Sequence, residues 1–177
     1  MGENTQGLYR QLLPCGVIVV YNVKIGLNMR NSGEYKVSDI TERVPKVKFS
    51  NWVPWEQRTQ LSCANIPGIY LLLKDTKVPE GAASSRDKKI IYIGETGKKL
   101  KERWAQFEKS ATKGAKGHSG GKTYYKEFGG DMINLHVAAM GLELKHPSAG
   151  PIRLYLERKL IMEYVFQNER LPICNKK

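Results

Sequence analysis

The chain has 177 residues and 41% apolar content, enough for one packed domain with an accompanying lobe or arm. Its formal net charge of +12 excludes an acidic or charge-balanced protein and points to a polyanionic partner or an anionic surface. No apolar run approaches the length of a membrane span, and the opening Met1-Gly2-Glu3-Asn4-Thr5 lacks the basic and apolar regions of a signal peptide.

The charge is unevenly placed. Residues 86–126 carry 12 Lys+Arg against 4 Asp+Glu, whereas residues 1–67 carry 8 against 5. The three cysteines, Cys15, Cys63 and Cys174, have long spacings that match no zinc or redox motif. Reduced thiols in a cytoplasmic protein are expected.

In chain order, residues 1–14 suggest an arm with a short helix around Leu8 to Leu13, and the β-branched run Val17 to Tyr21 a strand. Residues 26–50 are polar, with a turn signal at Asn31-Ser32-Gly33 and a breaker at Pro45, and could hold a hairpin. Pro54 followed by Trp55-Glu56-Gln57-Arg58 suits a short helix. Ile69 to Leu73 and Ile90 to Ile93 are two apolar strands joined by a loop through Pro79 and Gly81, for which an antiparallel hairpin is the simplest connection. A helix follows from Lys98 to about Ala111, with Leu100, Trp104, Phe107 and Ala111 on one stripe and Arg103 at its edge. Lys113 to Lys122, rich in Gly and Lys and containing His118, reads as irregular. Met132 to Met140 is a third strand, with Ile133, Leu135, Val137 and Ala139 facing one way. Pro151 to Asn168 is a long helix, and the tail Leu171 to Asn175 is extended.

In the last helix Leu154, Leu160, Ile161 and Tyr164 place Glu157 on the apolar face. A buried carboxylate needs a cation or strong donors. Glu157 is therefore either half of an ion pair, with Arg103 or Lys159, or a metal ligand. Arg103 lies in the most basic segment, where its planar fork suits a phosphate. Tyr70 and Tyr92 are by themselves ordinary strand aromatics.

Taken together, Gly68-Ile69-Tyr70, Tyr92-Ile93-Gly94, Arg103, Glu157 and Asn175 resemble, complete and in order, the signature of the GIY-YIG nuclease superfamily. The resemblance covers about residues 66–177. It implies an α/β (α+β) core, a three-stranded antiparallel sheet flanked by helices. Residues 1–65 stand outside it as an N-terminal extension for DNA contact or dimerisation. It implies an endonuclease that hydrolyses phosphodiester bonds of double-stranded DNA to 5′-phosphate and 3′-hydroxyl ends, with one Mg²⁺ (or Mn²⁺) per active site held by Glu157. Tyr70 would take or orient a proton of the attacking water, which as a base requires a depressed pKa. Tyr92 would bond the phosphate or Tyr70, and Arg103 would grip the phosphate. Gly68, Gly94 and Asn175 are supporting residues.

One position departs from the pattern. Many members carry His or Tyr four residues after the arginine, and here Phe107 stands there. Either that role is absent or His118, Tyr124 or Tyr125 covers it from the following loop, and His118 is a further catalytic candidate. Lys98, Lys99, Lys101, Lys113, Lys116 and Lys122 suit contacts along a phosphate backbone. The N-terminal extension and the loop 74–89 look most like the stand-alone type II restriction endonucleases of the superfamily, cytoplasmic, bacterial or phage-encoded, and acting as homodimers on palindromes. A phage or degradative endonuclease and a non-catalytic DNA-binding module are the alternatives.

Overall fold

The computed structural model describes residues 44–144 and 147–175, together with two short strands nearer the N-terminus. Met1–Val47 forms one compact unit and Lys48–Lys177 another. In the first unit, β1 (Tyr9–Leu12) pairs antiparallel with β2 (Ile18–Tyr21), Tyr9 opposite Tyr21. The expected helix around Leu8 to Leu13 is thus a strand. A lone β-branched strand leaves a row of backbone donors and acceptors unpaired, and Tyr9–Leu12 supplies their partners. The turn at residues 31–33, the possible hairpin around it and Cys15 lie outside the described residues.

The second unit is built on an antiparallel sheet ordered β3-β6-β4-β5, where β3 is Val53–Pro54, β4 Gly68–Lys74, β5 Ile90–Thr96 and β6 Leu135–Gly141. The β4–β5 hairpin is present as expected, and the architecture is α+β. The sheet has four strands rather than three, because the dipeptide Val53-Pro54 adds to the free edge of β6. A proline is admissible there because an edge strand needs only one side of its backbone. Strand β6 begins at Leu135, not Met132. Asn134 turns the chain with a positive φ of 60°, and Ile133 before it is exposed.

Strand alternation gives the sheet two buried faces. Tyr70, Leu72, Tyr92, Val137 and Ala139 form one, against α1 (Leu100–Lys113) and α2 (Ser119–Phe128). The predicted stripe of Leu100, Trp104, Phe107 and Ala111 is fully buried there. Ile69, Leu71, Leu73 and Ile93 form the other, against Leu156, Leu160, Ile161 and Tyr164 of α3 (Ala149–Asn168). No helix among the described residues is long and apolar enough to cross a membrane.

Residues 48–65, assigned from sequence to the extension, belong to this core. Trp55 is buried edge-on to Phe107, at 5.5 Å between ring centroids. Its Nε1 donates to Glu108, which also accepts from Arg58 at 2.7 Å. The carbonyls of Ala64 and Ile66 accept from the first two amides of α1, Lys101 and Leu100, which would otherwise lack partners. The boundary moves because an indole and a helix start both need this segment.

Candidate active site

In the β4–β5 register Tyr70 lies opposite Gly94 and Leu72 opposite Tyr92, so both phenols project from the same sheet face. Their ring centroids are 5.8 Å apart. Gly94 makes this possible: a Cβ there would lie 2.5 Å from Cε1 of Tyr92 and 3.1 Å from Cζ of Tyr70. Gly68 plays the equivalent part for the sheet itself, where a Cβ would lie 2.1 Å from the Met140 carbonyl oxygen.

His118 reaches the same spot. Its Nε2 is 2.9 Å from the Tyr70 hydroxyl, and the ring is fully buried. It is the N-cap of α2, where Nδ1 accepts from the Gly121 amide at 3.1 Å, and its own amide donates to Ser110 Oγ. An Nδ1 that accepts leaves the proton of the neutral ring on Nε2. His118 therefore donates to the Tyr70 oxygen and is not a base toward it. Burial first, and the Arg103 charge second, push its pKa down to about 3.

The expectation that 113–122 is irregular fails at its second half, which opens α2 at Ser119. Gly120 and Gly121 are poor helix formers, yet close packing requires them. A Cβ at Gly120 would lie 2.4 Å from the Tyr92 ring, and one at Gly121 2.7 Å from the Phe107 carbonyl oxygen. Phe107 itself is fully buried, with its ring edge-on to His118 at 5.2 Å. Where the pattern expects a polar side chain, an apolar ring supports His118, which arrives from the next helix. Tyr124 faces elsewhere, donating to the Asp131 carbonyl and receiving Lys74, and Tyr125 is exposed.

Arg103 stands beside both phenols. Its charge draws their pKa values down, but burial outweighs it: Tyr70 is raised well above the ordinary phenol value and Tyr92 to about 12. The depressed Tyr70 pKa required for a pre-ionised base is absent, because a phenol with no solvent exposure loses hydration of its anion. Arg103 also lines a cleft of about 260 Å³ with Glu95, Thr96, Gly97, Lys98 and Gln106. Its Nε is buried without a hydrogen-bond partner among the described residues.

Glu157 comes to this end of the hairpin from the opposite sheet face. It is raised by burial, lowered by Arg158, raised by Glu95 and lowered by the Glu95 backbone amide. Among the described residues its ion-pair partner is Arg158, at 3.9 Å, rather than Arg103 or Lys159. Leu154, read as part of its apolar face, is exposed, and Leu156 is buried instead. The reason is geometric: β5 is an edge strand, and its outer backbone groups are met from the side. Asn175 gives and receives hydrogen bonds of 2.8 Å with the amide and carbonyl of Ile93. The Glu157 carboxylate lies beside the next outward amide, that of Glu95, which lowers its pKa. Asn175 is thus structural, at the end of a short 3-10 turn (Ile173–Asn175) in the tail expected to be extended.

No group of three or more His, Cys, Asp or Glu side chains suited to a metal is found among the described residues. Glu157 with one neighbouring carboxylate is a sparse oxygen donor set. It fits Mg²⁺, which keeps most of its waters, and the mutual repulsion with Glu95 is what a divalent cation relieves. Lys98, Lys99, Lys101, Lys113, Lys116 and Lys122 are all exposed, and Lys98 alone lines the cleft.

Two residues at the site escape the sequence motif. Glu95 follows the second tyrosine tripeptide directly. Arg153 lies four residues before Glu157 and so on the same side of α3, with its Nε 3.5 Å from Glu95 Oε2. That helical spacing is the one signal that could have found it.

Comparison of the chain with family models, curated proteins and solved structures gives no match.

Proposed function

We propose that this chain is a divalent-metal-dependent endonuclease of the GIY-YIG type, acting on double-stranded DNA. One observation carries the assignment. Tyr70, Tyr92, Arg103, His118 and Glu157 come from five separate segments, and all adjoin the end of the β4–β5 hairpin. The tripeptide motif alone would not require the last two to be there.

In this proposal Arg103 holds the scissile phosphate, its spare Nε–H and terminal amines answering the phosphate oxygens. Tyr70 accepts Nε2–H of His118 on one lone pair; it has no solvent exposure in the free protein, so its second lone pair meets the attacking water only where the seated duplex opens the site. It orients that water and keeps its own proton, as its raised pKa demands. His118 touches Tyr70, is closed off from solvent, and is a positioning residue. Tyr92 borders Tyr70 and Arg103, and its phenol donates to the phosphate. Water attacks phosphorus and gives up one proton to a non-bridging phosphate oxygen as the bond to the 3′ oxygen breaks; that oxygen takes a proton from solvent water, and the products carry 5′-phosphate and 3′-hydroxyl ends. Glu157 would hold the single Mg²⁺ (or Mn²⁺), whose Lewis acidity stabilises charge on the departing oxygen. The exposed lysines supply salt-sensitive affinity along the backbone.

Incubation of supercoiled plasmid with the protein tests this. Cutting is expected in Mg²⁺, and EDTA and Glu157→Gln are each expected to abolish it. Binding without cutting in Mg²⁺ or Mn²⁺ would make the chain a non-catalytic DNA-binding module. Discrete fragments mark a sequence-specific restriction enzyme, and a smear marks a degradative one.

A further inference from the structure

Arg153 has no place in the motif and no role in the mechanism above, yet it is drawn into the same corner. Its side chain is only 13% exposed. Its Nη2 passes 2.8 Å from where a Gly97 Cβ would stand, so it threads a gap that glycine leaves beside the cleft wall. Its Nε is buried without a hydrogen-bond partner among the described residues, as is that of Arg103. Glu95 is a loose partner for it, at 3.5 Å, whereas Arg58 and Glu108 close to 2.7 Å in the same protein. A permanent ion pair would be expected at that shorter distance.

Two guanidiniums, each with a buried Nε–H that makes no hydrogen bond, therefore flank Glu95–Lys98, and that of Arg153 faces only the loose Glu95 carboxylate. Buried donors without partners are costly, and they are retained where a ligand brings acceptors. We propose that Arg153 is a second phosphate-contacting residue of the centre, held by Glu95 in the free protein and passed to a phosphate of the DNA backbone when the duplex seats. This rests on the assignment of the chain as a DNA nuclease. The exchange replaces one anion by another at the guanidinium. It frees Glu95 beside Glu157, where the two carboxylates already repel.

The test is duplex binding without cleavage. Anisotropy of a short fluorescein-labelled DNA duplex in EDTA gives the affinity across a NaCl series for wild type, Arg153→Gln, Arg153→Lys and Glu95→Gln. One lost phosphate contact lowers the slope of log affinity against log salt by about 0.9. Arg153→Gln is expected to lose that amount and Arg153→Lys to keep it. Glu95→Gln frees Arg153 and is expected to tighten binding severalfold at low salt. If Arg153 only braces Glu95, the salt slope ignores Arg153→Gln and Glu95→Gln weakens binding, which overturns the proposal. Should Arg153→Gln fail to fold, the sign of the Glu95→Gln effect decides alone. Wild type with no duplex binding sinks both this inference and the nuclease assignment. Binding with the expected slopes but no cutting in Mg²⁺ sinks only the latter.

Discussion

Replacing His118 by Gln removes a titrating group from the centre while leaving an amide that can still donate toward Tyr70. The wild-type ring is fully buried and its pKa falls from the ordinary 6.5 to about 3. Between those values the unfolded chain binds a proton that the folded chain refuses, so stability is lost as pH falls through this window. Each pKa unit is worth about 1.4 kcal/mol, so the His118 contribution falls by roughly 3 kcal/mol from about pH 6 to about pH 4. Glu157 is shifted upward and contributes a slope of opposite sign in acid, but it does so in both proteins and cancels in the difference. At neutral pH the variant should be less stable by about 1–3 kcal/mol, the cost of leaving the buried Gly121 amide without its acceptor. Urea unfolding of both proteins across a pH series reads this directly, with the wild-type advantage shrinking and then reversing on acidification. Parallel profiles would show that His118 is solvated or charged in the fold, and its place as a neutral donor to Tyr70 would be wrong.

Two further outcomes follow from close contacts. Gly94→Ala places a methyl 2.5 Å from the Tyr92 ring, so it should cost about 1–3 kcal/mol by overpacking and largely abolish plasmid cleavage. Wild-type activity in that variant would mean that the spacing of the two phenols is unimportant. Asn175→Ala removes both hydrogen bonds to Ile93 and should cost about 2–3 kcal/mol in urea unfolding, with faster exchange of the Ile93 amide. An unchanged exchange rate there would show that the strand edge is held by something else.

The residues of the candidate site were legible because they sit at fixed spacings inside strongly patterned elements. Tyr70 and Tyr92 lie in apolar strands, and Arg103 lies beside a helical stripe that is buried as written. Periodicity also put Glu157 on a buried surface, although it misassigned Leu154, since a short helix segment does not say which neighbours lie against it. The segment after α1 was misread because Gly120-Gly121 opposes helix formation locally, and the need for close approach to Tyr92 and α1 overrides that propensity. The same kind of override made Tyr9–Leu12 a strand and drew Trp55 into the core.

The residue types of the centre, their order and the surplus of positive charge were therefore determined by the sequence itself, since each depends on short-range spacing or simple counting. What only the tertiary structure decided are relations between distant segments. His118 reaches Tyr70 from another helix, as a donor. Burial raises the Tyr70 pKa instead of nearby cations lowering it. Arg153 and Glu95 meet beside Arg103. Such relations depend on desolvation and on contacts between separate elements, 48 residues apart for Tyr70 and His118, and neither is encoded in the local pattern at either end.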